Sequence, residues 1–387
     1  MKRIAFVSYE YPPDTGTGGI ATYVYQIAHA FADRGMNITV LCATPNDNAV
    51  IKENKNLTIH KLHCNKQREF IILAPEKLAT IHQQDPIDLI EVPDYGAEGL
   101  YIKKYVPNVP LVVKLHTPAY LVEKLNRYYY NEKWYKKLFK KYNYKKDNEY
   151  KAVSKADFIL SPSLSLRDII SKDWNIPADK IIHAPNPYIP NNHFLSIDEN
   201  FNSKTILYIG RLETRKGVYN LAKAIPHVLK KIPGAEFLFV GFSNIDPYRK
   251  GDMKPFLSNL LKGSMKQVRF IDKVPLDQIS EYYKSAAICI YPSIWENFPN
   301  VCLEAMSAAK IIIAGKNGGM KEMLEDIQGG IIIDPMSETA IANACIDALD
   351  NKEKYVEMGK RARVKIIDYY SNILITELLE LYAGMSN

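Results

Sequence analysis

One interruption governs how this chain folds. From Ala184 to Asn192 it reads Ala-Pro-Asn-Pro-Tyr-Ile-Pro-Asn-Asn, three prolines and three asparagines in nine residues. Proline lacks the amide hydrogen that a helix interior or a central strand requires, so neither continues through this segment. On both sides, apolar runs of strand length alternate with apolar residues at helical spacing. Before it, Ile4–Ser8, Ile38–Ala43, Leu89–Val92, Leu111–Leu115 and Phe158–Ser161 read as strands, with Ile20, Val24, Ile27, Ala28 and Phe31 on one helix face. After it come strands Thr205–Gly210, Glu236–Val240, Val268–Ile271, Ile288–Tyr291 and Ile311–Ala314. Helices Val218–Lys231, Leu276–Ser285, Val301–Ala308 and one from Thr339 lie among them. Alternation of this kind implies βαβ crossovers and a mostly parallel sheet in each half. The expected class is α/β with two domains joined by a proline-rich linker, which suits 387 residues.

The composition, 47% hydrophobic and 24% charged, is that of a soluble globular protein. No apolar run approaches the ~18 residues of a membrane span. The start, Met1 to Val7, resembles a signal peptide only until Ser8 and Glu10, and reads as a buried strand. The five cysteines form no Cys-x-x-Cys pair; Cys42, Cys289 and Cys302 sit in apolar runs and read as core residues of a cytoplasmic protein. There is no Asp-x-Asp and no His/Cys cluster at metal-ligand spacing, so no metal and no cofactor is expected. The net charge of +7 is concentrated between Arg127 and Lys155, where lysines interleave with tyrosines, Trp134 and Phe139. Two readings of residues 127–155 stay open: a solvated helix with its aromatics packed inward, or peripheral contact with anionic lipid. Nucleic acid ranks below both and is not expected as a partner.

Three clusters carry the chemistry. Gly16, Gly18 and Ala21 formally satisfy a dinucleotide fingerprint, but Tyr9–Asp14 separates them from the strand and no acid closes the next strand. Gly18 and Gly19 still open a helix, whose N-terminal N–H groups suit phosphate oxygens. At the head of the second half, Gly210-Arg211-Leu212-Glu213-Thr214-Arg215-Lys216-Gly217 places Arg211 and Lys216 on a strand-to-helix turn, where they could clamp a diphosphate. Further on, Glu296 leaves a strand and Glu304 lies in the following helix. Carboxylates so placed accept hydrogen bonds from sugar hydroxyls.

The setting of that pair, Glu-x-Phe-Pro-x-x-x-x-Glu-Ala over Glu296–Ala305, resembles the E-x7-E signature of family 4 GT-B retaining glycosyltransferases. The Gly18-Gly19, Gly210-Arg211, Lys216-Gly217 and Gly318-Gly319 clusters fall in that family's order. The resemblance implies GT-B architecture, two Rossmann-like domains facing each other across a cleft. Residues 1–190, completed by a final helix at about 371–387, would bind the acceptor, and residues 200–370 the nucleotide sugar. Arg211 and Lys216 would neutralise the leaving diphosphate, Glu304 would bind the ribose, and Glu296 with Asn297, Phe298 and Pro299 would hold the transferred sugar. Gly18, Gly19 and Gly210 would line the phosphates, and His116 matches the family's sugar-contacting histidine. Tyr95, Tyr120 and Arg127 are the expected acceptor contacts. The implied reaction is metal-independent transfer with retention from a nucleotide-diphosphate sugar, UDP ahead of GDP, to a glycan or lipid-linked glycan. Asp272, where the family has glycine, and Lys321, where it has proline, depart from the pattern. A nucleotide-sugar 2-epimerase and a non-catalytic sugar-nucleotide-binding protein are the alternatives.

Overall fold

The computed structural model describes residues 3–16, 18–127, 142–198, 202–243, 245–246, 251–272, 274–275 and 278–386. Residues 128–141, the middle of the lysine–aromatic stretch, lie outside them. The chain divides into two compact units. The first holds the chain up to Ala119, a segment ending at Ile189, and the chain from Tyr370 onward; the second holds a segment beginning at Tyr120 and Pro190–Tyr369. The boundaries depart from the expected ones at the helix Ala119–Asn126, which lies in the first half of the sequence. From Tyr120 on it belongs to the second unit, where the Asn126 side chain accepts from the Arg215 backbone N–H at 3.1 Å.

In the first unit, strands β1 (Arg3–Ser8), β2 (Asn37–Thr44), β3 (Ala49–Lys52), β4 (Leu57–His63), β5 (Leu89–Pro93), β6 (Leu111–Lys114), β7 (Phe158–Ser161) and β8 (Ile181–His183) form one sheet. Its order is β3-β4-β2-β1-β5-β6-β7-β8, parallel except for β3 against β4. Ile4 sits beside Ile38 on one side and Leu89 on the other. The central strands are largely apolar because both faces are covered, with Glu91 in β5 and Lys114 in β6 as buried exceptions. Helix Gly19–Asp33 contributes Tyr23, Val24, Ile27 and Phe31 to that cover. So does the terminal helix Leu374–Met385, through Ile375, Leu378 and Tyr382. The Tyr382 ring meets Phe31 edge-on at 6.0 Å, and its hydroxyl donates to buried Glu91. This helix begins at Leu374 rather than Ser371, after a π-helical stretch Ile366–Ile373.

The second unit contains β9 (Thr205–Ile209), β10 (Glu236–Val240), the short antiparallel pair β11 (Ile245–Asp246) and β12 (Gly251–Asp252), then β13 (Val268–Ile271), β14 (Ile288–Tyr291), β15 (Ile311–Gly315) and β16 (Ile331–Ile333). The main sheet runs β13-β10-β9-β14-β15-β16, all parallel. Helices Val218–Lys231 and Glu338–Asp350 bury Leu221, Ile225, Val228, Ile341 and Cys345 in its core. Strand order reverses between β1 and β5 in one sheet and between β9 and β14 in the other. Such reversals part the loops at the strands' carboxyl ends and leave room for a ligand. All five cysteines are buried and unbridged.

Candidate active site

In the second unit the loops leaving β9, β14 and β15 are laced together by backbone. Gly217 has φ +72°, and a Cβ there would stand 1.8 Å from the Pro292 carbonyl oxygen, so only glycine fits. The Ile294 N–H donates to the Arg215 carbonyl at 2.8 Å. Gly318, at φ +91°, packs equally hard on the Glu296 carbonyl, and the Gly319 N–H donates to that same oxygen at 2.8 Å. The second glycine pair of the sequence thus buttresses Glu296.

The side chains at this junction form a charge network. Arg215 is only 6% exposed; it donates to Glu296 Oε1 at 2.9 Å and pairs with Glu213 Oε1 at 2.8 Å. The Lys216 ammonium pairs with the same Glu296 oxygen. Arg211 lies further out, 44% exposed at its side chain, 3.4 Å from Glu213. Burial alone would raise the Glu296 carboxyl, but Lys216 and Arg215 outweigh it and hold the group below its ordinary value, ionised at neutral pH. Three cations face two carboxylates, so the cluster keeps one net positive charge at a strand switch point. A net positive charge at such a position suits an anion.

Glu304, on helix Asn300–Ser307, accepts from the Tyr283 hydroxyl at 2.8 Å, and burial raises its carboxyl above the ordinary range. Asn297 is buried, while Phe298 and Pro299 are half-buried at the helix entrance. Asp272, at the end of β13, pairs with Lys254 at 2.8 Å, and Lys321 pairs with Glu325 on the surface.

In the first unit the loop after β1 is fixed before it reaches Gly18. Asp14 Oδ2 accepts from Thr44 Oγ1 and from Lys61 Nζ, both at 2.8 Å. Gly18 caps helix Gly19–Asp33 without a side-chain bond, and a Cβ at Gly19 would meet no atom within 4 Å. His116 follows β6; its N–H donates to Asp94 Oδ1 at 2.7 Å and its ring meets Tyr23 edge-on at 5.6 Å. Burial and the Lys114 ammonium push the imidazole down to about 3, so it is neutral.

Three buried carboxyls brace the loops beside His116, and sequence reasoning missed them. Besides Asp94, Glu98 accepts from the Tyr9 N–H at 2.8 Å and from Gln67 at 2.9 Å. Glu149 accepts from the Gly96 and Ala119 N–H groups at 2.9 and 2.8 Å. Burial raises Glu98 to about 8, Glu149 to about 7, and Asp94 well above its usual range.

Of the expected site residues, Arg211, Lys216, Gly210, Glu296, Asn297, Phe298, Pro299 and Glu304 share the second unit, and Gly18, Gly19, His116 and Tyr95 the first. Tyr120 and Arg127, expected with Tyr95, fall in the second unit, where Arg127 pairs with Glu123. In the described part of the lysine–aromatic stretch Tyr144 and Tyr150 are half-buried and Tyr142 is exposed. Tyr150 packs between Tyr144 and Trp174, and the Trp174 indole donates to Tyr142 at 2.9 Å. Among the described residues no group of three or more His, Cys, Asp and Glu stands where it could hold a metal ion.

Two family models match the chain: "Glycosyltransferase Family 4" over residues 17–191 and "Glycosyl transferases group 1" over residues 192–365. The chain is 26% identical over 363 residues to an uncharacterized glycosyltransferase of Methanocaldococcus jannaschii, covering 88% of this chain and 87% of the relative. It is 27% identical over 228 residues to a lipopolysaccharide 1,2-N-acetylglucosaminetransferase of Salmonella typhimurium, 55% of this chain and 58% of the relative. Its fold matches that of Anabaena HepE, solved in complex with UDP, with a TM-score of 0.68 at 16% identity over 99% of this chain and 100% of the other.

Proposed function

The chain belongs to the group 1, family 4 glycosyltransferases of GT-B fold, and we propose that it transfers a hexose with retention, without a metal, from a nucleotide-diphosphate sugar. The observation that carries this reading is Lys216, placed with Arg215 on Glu296 at the carboxyl end of β9, with Arg211 outside it. Lys216 and Arg211 take the diphosphate and stabilise the charge that grows on it as the anomeric C–O bond breaks. The acceptor oxygen attacks from the face the phosphate leaves, and its proton passes to the departing phosphate oxygen. Glu304 accepts from the ribose hydroxyls. Glu296 and Asn297–Pro299 hold the sugar. On the first unit the Gly18-Gly19 helix end receives phosphate oxygens and His116 meets the sugar as a neutral imidazole.

UDP is the proposed nucleotide, ahead of GDP, in line with the complex of the Anabaena neighbour. A glycan or lipid-linked glycan is the proposed acceptor, as in cell-surface polysaccharide synthesis, and the Salmonella relative's acceptor class supports it. The proposed location is the cytoplasmic side, in peripheral contact with anionic lipid.

Thermal-shift titration with UDP, GDP, ADP and TDP, with and without EDTA, tests the donor site. A ligand at ~100 times its Kd adds about 2.7 kcal/mol, which is readily measured. UDP is expected to raise the melting temperature and EDTA to leave that rise intact. No response to any nucleotide would overturn the donor reading. Acceptor-free turnover of the nucleotide sugar to free nucleotide and an altered sugar would replace transfer with epimerisation.

A further inference from the structure

Among the described residues Glu304 forms no ion pair, unlike Glu296; what fixes it is a tyrosine from another helix. Tyr283, on helix Ile279–Ser285, is fully buried, with its ring edge-on to Phe194 at 5.3 Å. Its hydroxyl lies 2.8 Å from Glu304 Oε2, 3.2 Å from the Val301 carbonyl and 3.3 Å from the Tyr291 hydroxyl. One phenol carries one proton, and the charged, nearest acceptor takes it. Among the described residues only Oε2 is engaged, on a residue that stays partly exposed between buried Leu303 and Ala305. A free glutamate samples several rotamers, whereas a diol needs an acceptor held in one plane.

We propose that Tyr283 is a positioning residue for ribose recognition: its hydroxyl orients the Glu304 carboxylate so that it can accept from the ribose hydroxyls. This rests on the reading of Glu304 as the ribose acceptor. Tyr283 touches no substrate itself; it acts through Glu304.

The experiment is a cycle of two proteins and two ligands, wild type and Tyr283→Phe against UDP and 2′,3′-dideoxy-UDP, with Kd measured calorimetrically. Phenylalanine keeps the ring against Phe194, and comparing two ligands on one variant cancels any general effect on folding. Wild type is expected to bind the dideoxy ligand about 10–100-fold more weakly, the cost of hydrogen bonds to a charged group. Tyr283→Phe is expected to lose about 10-fold for UDP and nothing for the dideoxy ligand. The affinity of the variant for UDP should also fall off at a higher pH than in wild type, because the carboxylate has lost its donor. An unchanged UDP affinity in the variant, with the dideoxy ligand weak on wild type, overturns the role of Tyr283 and leaves the ribose reading standing. Equal losses for both ligands overturn it too, by making Tyr283 merely structural. Equal binding of both ligands to wild type, or no UDP binding at all, removes the ribose reading and this inference with it.

Discussion

Two adjacent cations on one turn do different work. Lys216 and Arg215 both reach Glu296, but only Arg215 also holds Glu213. Removing Lys216 leaves Glu296 paired, so Lys216→Ala should fold normally and lose turnover by ~10²-fold or more, the loss of one transition-state donor. Near-normal steady-state rates would eliminate the diphosphate clamp. Arg215→Ala instead removes the buried bridge between Glu213 and Glu296, leaving Glu296 to Lys216 and Glu213 to the more exposed Arg211, and should cost about 1–3 kcal/mol in urea unfolding. Gly19 separates fold from function in the opposite way. Neither φ nor packing requires glycine there, so Gly19→Ala should leave the melting temperature unchanged or higher, since alanine suits a helix better by up to ~1 kcal/mol. Turnover should nonetheless drop at least ~10-fold if a phosphate approaches that backbone; retained turnover would mean none does. Lys216, Glu296 and Glu304 are legible in the sequence because each follows a strand, a glycine or a proline that fixes its place. Arg215 is not, because nothing local tells that the short 3-10 turn Thr214–Lys216 brings both neighbouring cations onto Glu296.

Whole elements were legible where burial makes them uniform. Parallel strands covered on both faces are near-continuous apolar runs, and β1, β9, β10 and β14 stand out for that reason. Strand β4 is different: it alternates, with Leu57 and Ile59 buried and Thr58 and His60 less so. β8 and β16 are three residues each, too short for a period to show. The buried charges had a signal of their own. Glu91 and Lys114 interrupt apolar strands, and a charge in such a run is either a pair or a site. Glu91 is part of what binds the terminal helix, so Tyr382→Phe should cost about 1–2 kcal/mol by urea unfolding. An unchanged midpoint would show that apolar packing alone holds that helix. The loops after β5 and β6 imply a pH dependence. Glu98, near 8, and Glu149, near 7, bind protons in the folded state that the unfolded chain, near 4.5, has already released. Their stabilising contribution is therefore full at low pH and is lost as pH rises through 7 to 8. His116, near 3, acts oppositely but only below its unfolded value of 6.5. Between pH 6.5 and 8 the carboxyls decide, so the ligand-free protein should be more stable at pH 6.5 by on the order of 1–2 kcal/mol. Scanning calorimetry across that interval checks the sign, and Glu98→Gln should flatten the profile.

At the scale of the whole molecule the question is what surface this cationic chain meets. No helix among the described residues is long and apolar enough to cross a membrane. The packing of Tyr150 between Tyr144 and Trp174 removes part of the aromatic surface expected between residues 127 and 155. Another part of the first unit has the composition required. Ile71, on helix Gln67–Gln84, packs toward Ala97, Leu100 and Ala152. Beside these contacts Ile72, Leu73, Tyr101 and Tyr105 are exposed, Ile72 by 63%. Lys104 stands over Tyr105 at 5.5 Å, and Lys155 over Tyr101 at 5.9 Å, with Lys151 on the segment before it. Exposed aliphatic and tyrosine side chains among lysines suit the head-group region of an anionic leaflet, where each lysine contributes about 1 kcal/mol. The protein should therefore sediment with phosphatidylserine-containing vesicles at low salt, and not with pure phosphatidylcholine. Raising ionic strength should release it, because the screening length falls from ~10 Å at 0.1 M to ~3 Å at 1 M. Replacing Lys104 and Lys151 by glutamine should weaken binding by about 2 kcal/mol, roughly 30-fold. Ile72→Ser should weaken it without changing the salt dependence, since it removes apolar insertion and no charge. Failure to sediment with anionic vesicles at low salt would dismiss membrane contact altogether. Sedimentation that survives the double lysine replacement would instead move the contact off these helices.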